Sequence, residues 1–191
     1  MRNMMMIVDR MEEQKYEVEI KGASPLLMNR YIEGTLEEAK VRKGEAKKLN
    51  VEDKLYVDGN GKPYVPATYI RNCLIEAGKN VKVQGKGKAT YSKLLGSTVI
   101  VSPDALVIKG AWEPYTITAV NPMTHGRMSV TRPKFNEWSL SFTLVTTDDI
   151  SEDKLAAVLE EAGRFVGIGD WRPQKKGMFG KFVVTRFKRV T

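Results

Sequence analysis

Apolar and polar residues alternate in two stretches of the chain. Over residues 16–21 every other residue is apolar, and the residues between them are charged. Residues 137–145 show the same alternation, with apolar positions running from Trp138 to Leu144. A period of two places the apolar side chains on one face of a β-strand. Both stretches are therefore predicted to be strands with one buried face.

Apolar residues three and four positions apart predict two amphipathic helices. The first covers residues 68–77, and Gly78 is its predicted C-cap. The second begins after Ser151, a favourable N-cap residue, and ends near Gly163. The predicted buried stripes are Ile70, Cys73, Leu74 and Ala77 in the first helix, and Leu155, Val158, Leu159 and Ala162 in the second.

Shorter apolar stretches predict the other strands, over residues 98–101, 106–108, 115–120 and 179–187. In the last of these, Phe182 and Val184 are expected on one face and Phe187 on the other. The secure elements follow the order strand, helix, strand, strand, helix, strand. This order predicts an α+β fold with a ferredoxin-like (RRM-like) βαββαβ core, an antiparallel sheet with two helices on one face.

A first insertion is predicted at about residues 24–65, after the first strand. It contains a charged, helix-like stretch over residues 33–53. Turn residues follow, so a small hairpin is expected to join residues 54–57 to residues 64–65.

A second insertion is predicted at about residues 111–135, between the central strands. Its polar part, residues 121–134, is expected to form an exposed hairpin finger. A length of 191 residues fits one core with such insertions, so we expect residues 1–191 to form a single domain.

Composition restricts the class of protein. Hydrophobic residues make up 42% of the chain and charged residues 28%. No apolar run approaches the roughly 20 residues that span a bilayer, so we expect a soluble, cytoplasmic protein with no membrane partner. Cys73 is the single cysteine and cannot form an internal disulfide. Its place in a helical stripe predicts a thiol buried in the core.

The net charge of +8 is concentrated in two segments. Residues 77–103 contain five lysines and no acidic residue, and residues 164–191 contain eight lysines or arginines against Asp170 alone. Clustered positive charge repels itself, and phosphate is its usual partner. A basic surface that serves only solubility is the alternative.

The most distinctive motif is the glycine-rich segment, residues 167–182, which reads GIGDWRPQKKGMFGKF. Glycines let the backbone approach a ligand, and successive free N–H groups form an anion nest. Cations attract phosphate, and aromatic rings stack on bases. The candidate nucleic-acid-binding residues are Gly167, Gly169, Trp171, Arg172, Lys175, Lys176, Gly177, Phe179, Gly180 and Lys181 in the segment, and Lys82, Lys86, Lys88, Arg127 and Arg132 outside it.

A purely structural interpretation of the segment is the alternative. It would then be a tight connection from helix to strand, with Trp171 and Phe179 in the core and the glycines serving the turn. The segment is not a Walker loop, because it lacks the GK[ST] ending and no helix follows it.

The pattern GIG…R…G.FG[KR]F between the last helix and the last strand resembles that of the RAMP superfamily of CRISPR-associated RNA-binding proteins, the group of Cas5, Cas6 and Cas7. The two insertions make the outline most similar to a Cas7-like backbone subunit. The resemblance implies that Gly167, Gly169, Gly177 and Gly180 belong to a loop that contacts guide RNA. It also implies that residues 121–134 match the thumb, and that copies stack along the RNA as a homo-oligomer or filament, with other effector subunits as further partners.

Several functions stay open at this point. A divergent phage or mobile-element relative would bind or anneal single-stranded DNA, and a protein partner would be acidic. A metal-independent endoribonuclease would need His125, the single histidine, as its general acid or base. The expected function is nevertheless non-catalytic binding of single-stranded RNA through the segment and the free sheet face, with no cofactor and no metal.

Overall fold

The computed structural model describes residues 13–32, 50–120, 125–147 and 150–190. Its strands are β1 (Glu13–Gly22), β2 (Leu26–Leu27), β3 (Tyr64–Pro66), β4 (Ile100–Ser102), β5 (Ala105–Val107), β6 (Trp112–Val120), β7 (Arg127–Phe135), β8 (Ser139–Thr147) and β9 (Phe182–Val190). Its α-helices are α1 (Ala67–Ala77), α2 (Ser92–Thr98) and α3 (Glu152–Glu161).

The main sheet has the strand order β4-β8-β1-β9, and every neighbouring pair is antiparallel. These are the second, third, first and fourth strands of a βαββαβ core. The order is the ferredoxin-like one, in which each helix crosses over one strand before the chain returns to the sheet. The predicted α+β, ferredoxin-like fold is confirmed.

The core lies between this sheet and the helices. On the sheet, Tyr16, Val18 and Ile20 of β1 are buried, as the alternating pattern predicts. The predicted helical stripes are buried as well, including the thiol of Cys73. Gly78 takes a right-handed conformation with φ of −58°, so the end of α1 needs no left-handed glycine.

A β-bulge in the last strand corrects one sequence prediction. The pairing of β1 with β9 shifts between Glu19 and Ile20, so that no residue of β1 lies opposite Thr185. The extra residue turns Phe187 to the same face as Val184, and its ring stacks on Tyr16 at 4.8 Å between centroids. The predicted opposite orientation of Phe187 is wrong, because strict alternation fails at a bulge.

The hairpin that forms the finger is longer than the polar stretch, residues 121–134, that predicted it. Strands β6 and β7 pair from Trp112 opposite Phe135 to Val120 opposite Arg127, which makes a hairpin roughly 30 Å long. The predicted finger over residues 121–134 contains most of the returning strand β7, and residues 121–124 lie outside the described residues. Strand β2 adds to the base of the hairpin beside β7.

Two further elements differ from the sequence predictions. Helix α2 was not predicted, because within it only Leu95 is buried and no apolar period is visible. The small hairpin is reduced to one bridge between Val57 and Pro63, while β3 pairs with β5. Most of the helix predicted over residues 33–53 lies outside the described residues.

Candidate nucleic-acid interface

The glycine-rich segment begins where the second core helix ends. Helix α3 continues beyond Gly163 as a π-helical turn over Ala162–Val166. The Gly167 amide closes this turn by donating to the Ala162 carbonyl at 2.8 Å. Gly167 then takes φ of +70°, which glycine adopts without steric cost, and the chain leaves the helix.

Close backbone packing explains two of the other glycines. A Cβ on Gly177 would overlap the Trp171 carbonyl oxygen, and a Cβ on Gly180 would overlap the Ile168 carbonyl oxygen. The segment therefore folds back on itself with two backbone stretches in contact. This part of the structural interpretation is correct.

The backbone amides of the segment are mostly occupied. The Ile168 amide donates to the Gly180 carbonyl at 3.0 Å, and the Phe179 amide donates to the Trp171 carbonyl at 3.1 Å. The Asp170 and Gly180 amides bind carbonyls in and next to β2, those of Leu27 and Pro25. The successive free N–H groups of an anion nest are therefore not present here, and anion binding falls to the side chains.

The finger is attached to the segment at its base. The Arg132 Nε atom donates to the Asp170 carboxylate at 3.0 Å, and both side chains are largely buried. The rings of Tyr115 and Phe179 lie 5.9 Å apart. Arg132 and the segment, both predicted site elements, are thus in direct contact.

The two aromatic residues of the segment have different environments. Phe179 is buried against the finger, as the structural interpretation predicts. Trp171 is 39% exposed and holds φ of +49°, an unusual conformation for a residue with a side chain. Trp171 therefore offers a ring for stacking, whereas Phe179 does not.

Three lysines of the segment point into solvent, and one arginine is held in place. Lys175, Lys176 and Lys181 are exposed. The Arg172 guanidinium is half-buried, with one amino group donating to the Gly169 carbonyl at 3.1 Å and Nε donating to Gln174 at 2.9 Å. None of these four cations forms an ion pair with a described residue.

The candidate residues outside the segment are not all collected beside it. Arg127 is five residues from Arg132 along β7, so it lies about 17 Å away toward the finger tip. Lys82, Lys86 and Lys88 lie in a separate exposed turn closed by a bridge between Lys82 and Thr90. Within the described residues, no hydrogen bond or ion pair joins that turn to the segment.

A cleft of about 390 Å³ lies between α1 and the segment. From α1 it is lined by Tyr69, Asn72, Cys73 and Glu76, and from the chain after β2 by Asn29. Asn29, Tyr69 and Asn72 were not predicted as site residues, since they match no motif. The one available signal was that Tyr69, Asn72 and Glu76 share the polar face of α1, at a spacing of three and four residues.

The Cys73 thiol fixes α1 to the start of the segment. It lies 3.3 Å from the Gly167 carbonyl oxygen and 3.6 Å from that of Ala162. Burial raises the pKa of this thiol to about 12, so it stays protonated and unreactive at neutral pH.

The outer face of the main sheet is exposed, but its charges and side chains differ from those of the segment. Among its described residues, Glu17 and Glu19 of β1 pair with Arg186 of β9, and Lys188 lies opposite Glu17. Alternation along the four strands places no aromatic side chain on this face. The face expected to share in binding thus has mixed charge and no ring for base stacking.

An enzyme site would need a titratable side chain or a metal-binding cluster. His125 lies exposed beside the finger tip with φ of +55°. No group of three or more histidine, cysteine, aspartate or glutamate residues in the described ranges could hold a metal ion.

None of the described helices combines the length and apolar character needed to cross a bilayer.

Comparison with known proteins identifies the fold and no family. No protein-family model and no curated protein sequence matches the chain. A chain in the cryo-EM structure of the Type III-B Cmr-beta bound to cognate target RNA is similar, with a TM-score of 0.56 and 14% sequence identity. The match covers 94% of this chain but 61% of that one. Such low identity shows a shared fold alone.

Proposed function

We propose that this protein binds single-stranded RNA without cleaving it, as a backbone subunit that holds guide RNA in a CRISPR-type ribonucleoprotein of the cytoplasm. The glycine-rich segment is the main binding element, and the RNA passes its lysines toward the base of the finger. Copies of this chain, or other subunits, assemble along the RNA.

The observation that carries this proposal is the fixed cluster of cations on the segment. Lys175, Lys176 and Lys181 are exposed on a backbone held by many internal hydrogen bonds. The one acidic residue of the segment, Asp170, is neutralised by Arg132. The positive charge therefore has no described partner within the protein, and phosphates of a nucleic-acid backbone would supply one.

Two further observations support single-stranded RNA as the ligand. Trp171 exposes an aromatic ring next to the cations, and a ring can stack only on a base that is free of its helical neighbours. The similar Cmr-beta chain belongs to a complex bound to target RNA. That likeness makes RNA the first nucleic acid to test.

The test compares two triple variants that remove the same charge. Lys175→Ala, Lys176→Ala and Lys181→Ala together remove the three exposed lysines of the segment, whereas Lys15→Ala, Lys21→Ala and Lys188→Ala remove three from the outer sheet face. Fluorescence anisotropy with an unstructured RNA of about 30 nucleotides measures affinity at several salt concentrations. We expect the segment variant to bind about tenfold or more weakly and to lower the log–log salt slope by about 2, at roughly 0.7 per phosphate contact.

The outcomes separate the competing functions. Equal losses in both triple variants would mean that binding is a diffuse effect of net charge and that the segment is not the interface. Equal affinity for DNA of the same sequence would favour the single-stranded DNA-binding function. Cleavage of the RNA that disappears in His125→Ala would favour the endoribonuclease.

A further inference from the structure

The cleft between α1 and the segment has the size and polarity of a small-ligand site. Its volume of about 390 Å³ lies within the usual range for such sites, roughly 300–1,000 Å³. It opens beside Arg172, one of the cations proposed to contact phosphate. A strand held on the segment would therefore pass its mouth.

The cleft is lined by an unusual number of carboxamides. Asn29, Asn72 and Gln174 all line it, and a carboxamide carries both hydrogen-bond donors and an acceptor. Gln174 already accepts from Arg172 and donates to Glu76. Asn29 and Asn72 are exposed, and no hydrogen bond occupies either side chain within the described residues. Paired donor and acceptor groups match the edge of a nucleobase, which is how asparagine and glutamine distinguish bases.

The walls of the cleft are held in fixed positions. The Tyr69 hydroxyl lies 3.3 Å from that of Tyr56, so its half-buried ring is anchored at the far end. Arg172 is fixed by the Gly169 carbonyl and by Gln174. A ligand would thus meet groups that are already oriented, which lowers the entropic cost of binding.

Glu76 at the rim determines which ligand chemistry fits. A hydrogen bond from Lys79, at 2.6 Å, holds the pKa of the Glu76 carboxyl below its usual value, and Gln174 donates to it as well. The group is therefore a carboxylate at neutral pH, an acceptor that repels phosphate and accepts from amino groups. Acidic side chains recognise the exocyclic amino group of cytosine in this way.

From these contacts we infer that the cleft holds one unpaired nucleobase of the bound strand, which Asn29 and Asn72 recognise through its edge. The Glu76 carboxylate favours a base with an exocyclic amino group, which adenine, cytosine and guanine have, over uracil, which has none. The inference rests on the proposed function, because the segment holds the strand beside the cleft. It adds base preference at one position to binding that is otherwise independent of sequence.

The experiment selects RNAs from a random-sequence library on immobilised full-length protein and sequences those that bind. For the wild type we expect bases with an exocyclic amino group to be enriched over uracil at one position by about tenfold, the discrimination of one good edge contact. Asn72→Ala should abolish most of this enrichment while total affinity for the library changes less than about twofold. The matched control is Asn80→Ala, since Asn80 follows α1 and binds Glu161 instead of lining the cleft.

Each outcome bears on a different claim. Tight binding with no enrichment, or enrichment that Asn72→Ala and Asn29→Ala leave unchanged, would overturn the inference and leave the proposed function intact. Absence of any RNA binding would overturn the proposed function. In that case, titration with adenosine, cytidine and guanosine monophosphates tests whether the cleft takes a free nucleotide, and failure of all three to bind would overturn the cleft assignment too.

Discussion

The chain contains two basic, glycine-rich segments that look alike in sequence and differ in structure. In residues 82–88, Gly85 and Gly87 have positive φ, and a Cβ added at either would meet nothing within 4 Å. In residues 167–182, Gly177 and Gly180 face carbonyl oxygens that a Cβ would overlap. The first segment is an open turn in solvent, and the second is packed against the core.

The comparison shows that glycine has two separate uses in basic loops. In the open turn it permits a conformation, and the space around the two glycines is empty. In the packed segment it permits close approach of two backbone stretches, so the cations stand on a fixed platform. A fixed platform loses less conformational entropy when it binds a strand, which is why we assign the main interface to the segment.

The largest effect should come from filling the space at Gly180. Gly180→Ala would place a Cβ against the Ile168 carbonyl at φ of +71°, and we expect the free energy of unfolding to fall by roughly 3 kcal/mol or more. Gly87→Ala meets only the strain of φ of +59°, about 1 kcal/mol. At about 2–4 °C per kcal/mol, thermal unfolding should separate the two clearly. Similar losses would show that the segment is no better packed than the turn.

A smaller effect should follow from detaching the finger. Arg132→Ala removes an ion pair whose side chains are only 18% and 27% exposed, and leaves Asp170 without its partner. We expect a loss of about 1–2 kcal/mol in urea unfolding. Arg186→Ala is the control, because its pair with Glu17 is about half exposed and should contribute at most about 1 kcal/mol. Equal losses would mean that the finger is not fixed to the segment.

The smallest effect on stability is expected from the Cys73 thiol. Its rate of reaction with a thiol reagent reports directly on how tightly α1 packs against the segment. Because burial raises its pKa from 9.0 to about 12, the folded protein should react very slowly with a thiol reagent at pH 8 and rapidly once unfolded. The folded state holds the thiol proton more tightly than the unfolded state does. The contribution of protonated Cys73 to the free energy of unfolding is therefore complete below about pH 9 and declines as the pH rises toward 12. Rapid native-state reaction would show that the segment opens away from α1.

Local sequence patterns were sufficient for most of the core. The alternation in β1 and β8 and the stripes of α1 and α3 predicted those elements, because burial of one face imposes a period that a sequence displays. The bulge at Thr185 was not predictable, since one unpaired residue changes the register without a distinctive composition. Helix α2 was missed for a similar reason, having one buried residue and no period.

For the candidate site, the sequence alone identified the cations and the glycines of residues 167–182, because clustered charge and high glycine content are visible in composition. Only the tertiary structure decided which groups meet there. Asn29, Asn72 and Gln174 come from three distant parts of the chain, and Arg132 reaches Asp170 from another element. Such contacts depend on long-range packing, which leaves no local period in the sequence, and so the cleft and the attachment of the finger became visible only in the folded chain.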